Sequence, residues 1–165
     1  MMSDDISVRV RTLATLLGRR GQRLVTAESC TGGLVAGALT ALPGSSNWYE
    51  RGWVTYSNAA KIDELGVDPH LLATHGAVSE IVAAAMAGGA RIAGRADFAL
   101  SITGIAGPDG GTAEKPVGMV CFGWATPTHT LTETWHFSGD RQRVREESVA
   151  HALAGLIALL MNDAV

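Results

Sequence analysis

Leu24-Val25-Thr26-Ala27-Glu28-Ser29-Cys30-Thr31-Gly32-Gly33 reads, in that order, as a short buried strand, a tight turn and the entry to a helix. The helix is apolar and continues through Leu42, and Pro43 to Asn47 is a turn. Upstream, Ile6, Val10, Leu13 and Leu17 recur at helical spacing, and Gly18 to Gly21 closes that helix. Downstream, Trp53-Val54-Thr55-Tyr56 is a second strand. It breaks at Ser57-Asn58, where Asn58 can cap a helix carrying Lys61. Gly66 ends that helix and Pro69 begins a short turn. Ser79 opens an Ala-rich helix reaching about Ala93, and Phe98 to Ile102 is a strand apolar on both faces. A glycine-rich loop, Gly104 to Gly111, follows. Strands at about Val117 to Ala125 and Thr130 to Phe137 form a hairpin across Pro127-Thr128, and a last helix begins near Asp140. Helices and strands alternate early and an antiparallel pair comes late. The order predicts a three-layer α/β/α sandwich with a mixed, mostly parallel sheet, folded as one domain over residues 1–165.

Composition narrows the function. The formal net charge is -3 and no long basic run occurs, which argues against nucleic acid as a partner. The N-terminus lacks the basic start and apolar run of a signal peptide, and the longest apolar run, Ala152 to Met161, is about half of what a spanning helix needs. No membrane partner is expected, and Cys30 and Cys121, outside any metal spacing, suit a reducing cytoplasm. The histidines show no ligand spacing, so no metal is expected. The 13 basic residues comprise 11 Arg and two Lys, Lys61 and Lys115. Where Arg serves for every generic positive charge, a retained Lys suggests a need for an amine that can lose its proton. The plainer alternative is chance survival on a solvated face.

Three loops follow strand ends, where ligands bind in open α/β sheets. In the first, Ser29 would sit near a helix N-terminus whose N–H groups favour negative charge, with Gly32 and Gly33 admitting a ligand close to the backbone; a simple capping serine is the alternative. Cys30 beside the same helix end is a second candidate nucleophile, its thiol pKa depressed there. In the second loop, Lys61 in the first helical turn opposes the helix dipole, which favours its neutral form. Alternatively it pairs with Asp63 or Glu64 in solvent. Tyr56 is either a core aromatic or a proton-relay partner. The third loop, Thr103 to Gly111, can form an anion nest from successive N–H groups, but matches neither the Walker nor the dinucleotide pattern. Arg141 and Arg145, four residues apart on one helix face, could fork onto a phosphate; exposed helix arginines are the plainer reading.

Taken together, these segments resemble the CinA C-terminal family, the nicotinamide-nucleotide amidases. The likeness is carried by Thr26 to Gly33, Gly44-Ser45-Ser46, Arg51-Gly52, Val54 to Asn58 with Lys61, and His75-Gly76-Ala77-Val78-Ser79. It continues through Thr103 to Pro108 with Gly110-Gly111, Lys115-Pro116-Val117-Gly118, and Gly139-Asp140-Arg141 with Val144-Arg145. The resemblance implies hydrolysis of nicotinamide mononucleotide to nicotinic acid mononucleotide and ammonia, in pyridine-nucleotide salvage, with no metal or other cofactor. It implies Ser29 as nucleophile, Lys61 as base and proton donor, and Tyr56 as an orienting or relay group. On the same grounds, N–H groups near Cys30, Thr31 and Gly32 or near Thr103-Gly104 would hold the oxyanion. The loop containing Gly107 and Gly110, with Arg141 or Arg145, would hold the phosphate. The competing expectation is a non-catalytic nucleotide-binding or interaction module. Oligomeric state stays open, since apolar helix faces of a domain this size can be buried between subunits.

Overall fold

The computed structural model describes residues 2–162. In chain order the elements are α1 (Asp4–Arg20), β1 (Leu24–Glu28), α2 (Leu34–Thr40), β2 (Tyr49–Val54), α3 (Asn58–Leu65) and α4 (Pro69–His75). They continue with α5 (Glu80–Gly94), β3 (Phe98–Gly104), β4 (Met119–Ala125), β5 (Thr130–His136) and α6 (Arg141–Asn162). The strands form one sheet in the order β2-β1-β3-β4-β5. β1 runs parallel to both β2 and β3, β4 is antiparallel to β3, and β5 is antiparallel to β4. Four strands therefore point one way and β4 alone runs against them. The expected mixed α/β architecture is present.

Side chains along each strand alternate between two cores, as the pleat requires. Leu24, Phe98, Leu100, Ile102, Val120 and Phe122 face one core with Ile6, Val10, Leu13, Leu17, Val35, Leu39 and Leu153, from α1, α2 and α6. Val25, Ala27 and Ala99 face the other, with Leu65, Leu72, Val82, Met86 and Ala90, from α3, α4 and α5. The connection leaving β1 joins the first helical layer and the one leaving β2 joins the second. That divergence opens a crevice at the carboxyl ends of neighbouring strands, the usual ligand position in such sheets.

Several boundaries differ from the sequence expectation. The second strand is Tyr49–Val54 rather than 53–56, because an edge strand half in solvent carries polar Glu50 and Arg51 and loses its apolar pattern. Ser57, not Asn58, caps α3, its hydroxyl accepting from the Ala60 N–H at 3.0 Å. The segment after Pro69 is a helix, with Asp68 accepting from the His70 N–H at 2.8 Å and Pro69 in the first turn, where its missing N–H costs nothing. β4 starts at Met119 rather than Val117, since Gly118 has φ 94° and breaks the strand backbone.

Candidate active site

Ser29 follows β1 directly. Its N–H donates to the Ile102 carbonyl at 2.9 Å, and the Thr55 N–H donates to the Glu28 carbonyl at 2.9 Å. Each bond extends a parallel ladder by one step, so the Ser29 backbone is set by the sheet. Lys61 reaches the same point from α3. Its Nζ donates to Ser29 Oγ at 3.0 Å and to the Thr55 carbonyl at 2.7 Å. Lys61 is 1% exposed, and no described ion pair involves it. The expected alternative of a solvated lysine paired with Asp63 or Glu64 is therefore excluded. Burial lowers its pKa below the ordinary lysine value, with attraction to the Cys30 sulfur a lesser opposing influence.

The helix-terminus idea for Ser29 is corrected. α2 starts at Leu34, capped by Gly33 at φ 101° with no side-chain cap. Its leading N–H groups are taken by Glu28, which accepts from Val35 at 2.9 Å and Ala36 at 3.0 Å and from the Thr31 hydroxyl at 2.7 Å. The α2 terminus is thus not free to stabilise an oxyanion. The turn itself offers other donors. The Gly32 N–H closes onto the Ser29 carbonyl, while among the described backbone bonds those of Cys30 and Thr31 meet no carbonyl. Glu28 had no assigned role from sequence; a carboxylate ending an apolar strand just before a helix is the signal that would have found it.

The expectation of a depressed Cys30 thiol is also corrected. Cys30 lies four residues before α2 and is buried, and that burial pushes its thiol up to about 12, over the opposing pull of its own backbone N–H and of Arg145. A thiol held neutral there is a poor nucleophile.

The first turns of α6 gather the three loops. Arg145 Nε donates to the Cys30 carbonyl at 3.0 Å and its terminal nitrogen to the Thr31 carbonyl at 3.3 Å. Gly32, at φ 58°, lies so close that an added Cβ would stand 3.3 Å from that guanidinium. Arg141 donates to the Gly107 carbonyl at 2.9 Å and to the Tyr56 hydroxyl at 3.1 Å. Tyr56 is 61% exposed at the rim, and no described hydrogen bond joins it to Ser29 or Lys61. In the third loop the Thr103 hydroxyl donates to the Ala77 carbonyl at 2.9 Å. A Cβ at Gly104 would stand 2.7 Å from Val120 Cγ2, and one at Gly107 would collide with Val117. Gly110, at φ 93°, is exposed. Packing alone thus requires two of these glycines.

A groove of about 630 Å³ between α1, α2 and α6 touches Gly33 and Arg145, and a second lies beside Trp135 and His151; neither includes Ser29 or Lys61. The site is located by the buried amine against a hydroxyl, because chemistry needs a positioned nucleophile more than volume. Among the described residues no group of three His, Cys, Asp or Glu is placed to hold a metal ion, and no helix is long and apolar enough to cross a membrane.

Comparison with known proteins fixes the family. The model of the CinA C-terminal domain matches residues 7–160. The chain belongs to the CinA C-terminal domain family. One CinA-family relative, the nicotinamide-nucleotide amidohydrolase PncC of Escherichia coli K12, is 56% identical over 141 residues, 85% of this chain and 86% of that protein. A competence-damage inducible protein of Symbiobacterium thermophilum is 53% identical over 163 residues, and the chain spans 38% of its length. Among solved CinA-family structures, a competence/damage inducible protein from Agrobacterium tumefaciens superposes with a TM-score of 0.94 at 46% identity, covering 96% of this chain and 98% of that one.

Proposed function

We propose that the protein hydrolyses the carboxamide of nicotinamide mononucleotide, releasing nicotinic acid mononucleotide and ammonia, with Ser29 as nucleophile and Lys61 as its base. The observation that carries this reading is the buried 3.0 Å contact between Lys61 Nζ and Ser29 Oγ, with Lys61 in none of the described ion pairs. With the amine neutral, the contact reverses, and the hydroxyl donates to the nitrogen lone pair while an amine N–H remains on the Thr55 carbonyl. Ser29 Oγ attacks the carboxamide carbon and its proton passes to Nζ. The negative charge on the carbonyl oxygen meets the Cys30 and Thr31 N–H groups. The ammonium then returns the proton to the departing nitrogen, the C–N bond breaks, and ammonia leaves an ester on Ser29. Water attacks the ester, again giving its proton to Lys61, and collapse returns that proton to Ser29 Oγ with release of the acid. Splitting the reaction in two suits an amide, a poor electrophile with a poor leaving group, and an amine base replaces the histidine of a triad.

In this reading Arg141 meets the 5′-phosphate at the mouth of the crevice, because it is exposed beside the glycine-rich loop. Arg145 is engaged with backbone carbonyls of the nucleophile turn. Tyr56 holds Arg141 in place rather than relaying protons. The name and identity of the Escherichia coli relative support the substrate. Ammonia release from nicotinamide mononucleotide is the test. Ser29→Ala is expected to lose at least about 10³-fold in kcat with the fold retained. Absence of turnover in the wild-type protein leaves the non-catalytic binding module as the answer.

A further inference from the structure

We infer that Glu28 is a positioning residue for the nucleophile turn, clamping it together with Arg145 so that the Thr31 N–H is presented to the developing oxyanion. The inference rests on the amidase reading above and adds a residue to it. Glu28 is 1% exposed, yet no described ion pair neutralises its carboxylate. Burying an unpaired carboxylate is unfavourable, and capping a helix does not demand it, since a neutral side chain adjacent to the helix suffices. Here the carboxylate instead spans the whole turn, reaching over Ser29 to Gly33 to accept from Thr31 Oγ1, Val35 N and Ala36 N. It fixes the far end of the turn to the residue that precedes the nucleophile.

Arg145 acts on the backbone of the same turn. Its Nε holds the Cys30 carbonyl, and in a trans peptide the following N–H points the other way, so the Thr31 N–H faces away from the guanidinium. The Thr31 carbonyl is held by Arg145 and by the Leu34 N–H at 3.1 Å, and the Thr31 hydroxyl by Glu28. Carbonyl and side chain are anchored, and the N–H is the one polar group of Thr31 without a partner among the described residues. Preorganised donors of this kind act mainly on the transition state, so disturbing them lowers kcat more than substrate affinity.

The test compares wild type, Glu28→Gln and Thr31→Val in steady-state ammonia release, with circular dichroism to verify folding. Gln has the same shape but turns a donor toward one of the three groups the carboxylate now accepts from. The expected result is a folded Glu28→Gln enzyme with kcat lower by about 10²-fold and KM changed less than about threefold. Thr31→Val removes one of the three bonds while keeping the branched shape, so it answers if Glu28→Gln fails to fold; about a tenfold loss in kcat at constant KM is expected. Folded variants with kcat within about threefold of wild type, or with KM rising as far as kcat falls, overturn the inference while the amidase reading stands. A wild type that releases no ammonia overturns both.

Discussion

Replacing Lys61 with Met tests the base directly. Met preserves an unbranched stem of similar length in a site where Lys61 is 1% exposed, and removes only the amine. An amine titrating at about 10.4 would be neutral in roughly one molecule in 10³ at pH 7.4, and each unit by which burial lowers that value raises the fraction about tenfold. Burial shifts Lys61 downward, so its neutral fraction exceeds that of a solvated lysine at the same pH. Loss of general-base catalysis is worth about 10²–10⁴-fold, or roughly 3–5 kcal/mol of barrier. Stability depends on pH through the same amine. Below the folded pKa the ammonium is charged in both states and the folded protein bears the full penalty of burying it. As pH rises from the folded to the unfolded value, the unfolded chain binds more protons and the wild type gains stability. The Met variant lacks that dependence and, despite leaving the Thr55 carbonyl without its donor, is expected to lie within about 2 kcal/mol of wild type at pH 7. A coupled assay for ammonia from about pH 6 to 10, beside thermal unfolding at each pH, reads both effects. The wild-type kcat/KM should climb with pH as the amine deprotonates, and the variant should lose that limb. A folded Lys61→Met enzyme retaining kcat within about tenfold of wild type would refute the reasoning.

Cys30→Ala should still turn over, within about tenfold of wild type, and alkylation of the wild-type thiol at pH 8 should be slow, because the thiol is held up at about 12. Rapid inactivation that tracks modification of Cys30 would point to the thiol instead. Arg141→Ala should raise KM for nicotinamide mononucleotide by about 10–100-fold, the worth of a charge-assisted hydrogen bond, and leave turnover of the phosphate-free riboside nearly unchanged. Equal effects on both substrates would remove Arg141 from the phosphate.

The strand-to-helix alternation, the helix-ending glycine at position 66 and the apolar spacing of α1 were legible in the chain because they depend on local periodicity and turn chemistry. So was the singular status of Lys61, since only composition is needed to see an amine retained among arginines. Edge strand β2 was misplaced because solvent on one side erases the apolar pattern, and α4 was missed because seven residues are too few to display a period.

What the sequence by itself determined is the layered α/β order and a short set of candidates, Ser29 and Lys61 foremost. Their meeting was decided only by the tertiary structure: 32 residues separate the hydroxyl from the amine along the chain, and parallel pairing of β1 with β2 brings them to 3.0 Å. Burial, and with it the lowered Lys61 pKa and the raised Cys30 pKa, likewise exists only once the layers close. Desolvation is a property of what surrounds a group in space, and no local pattern encodes it.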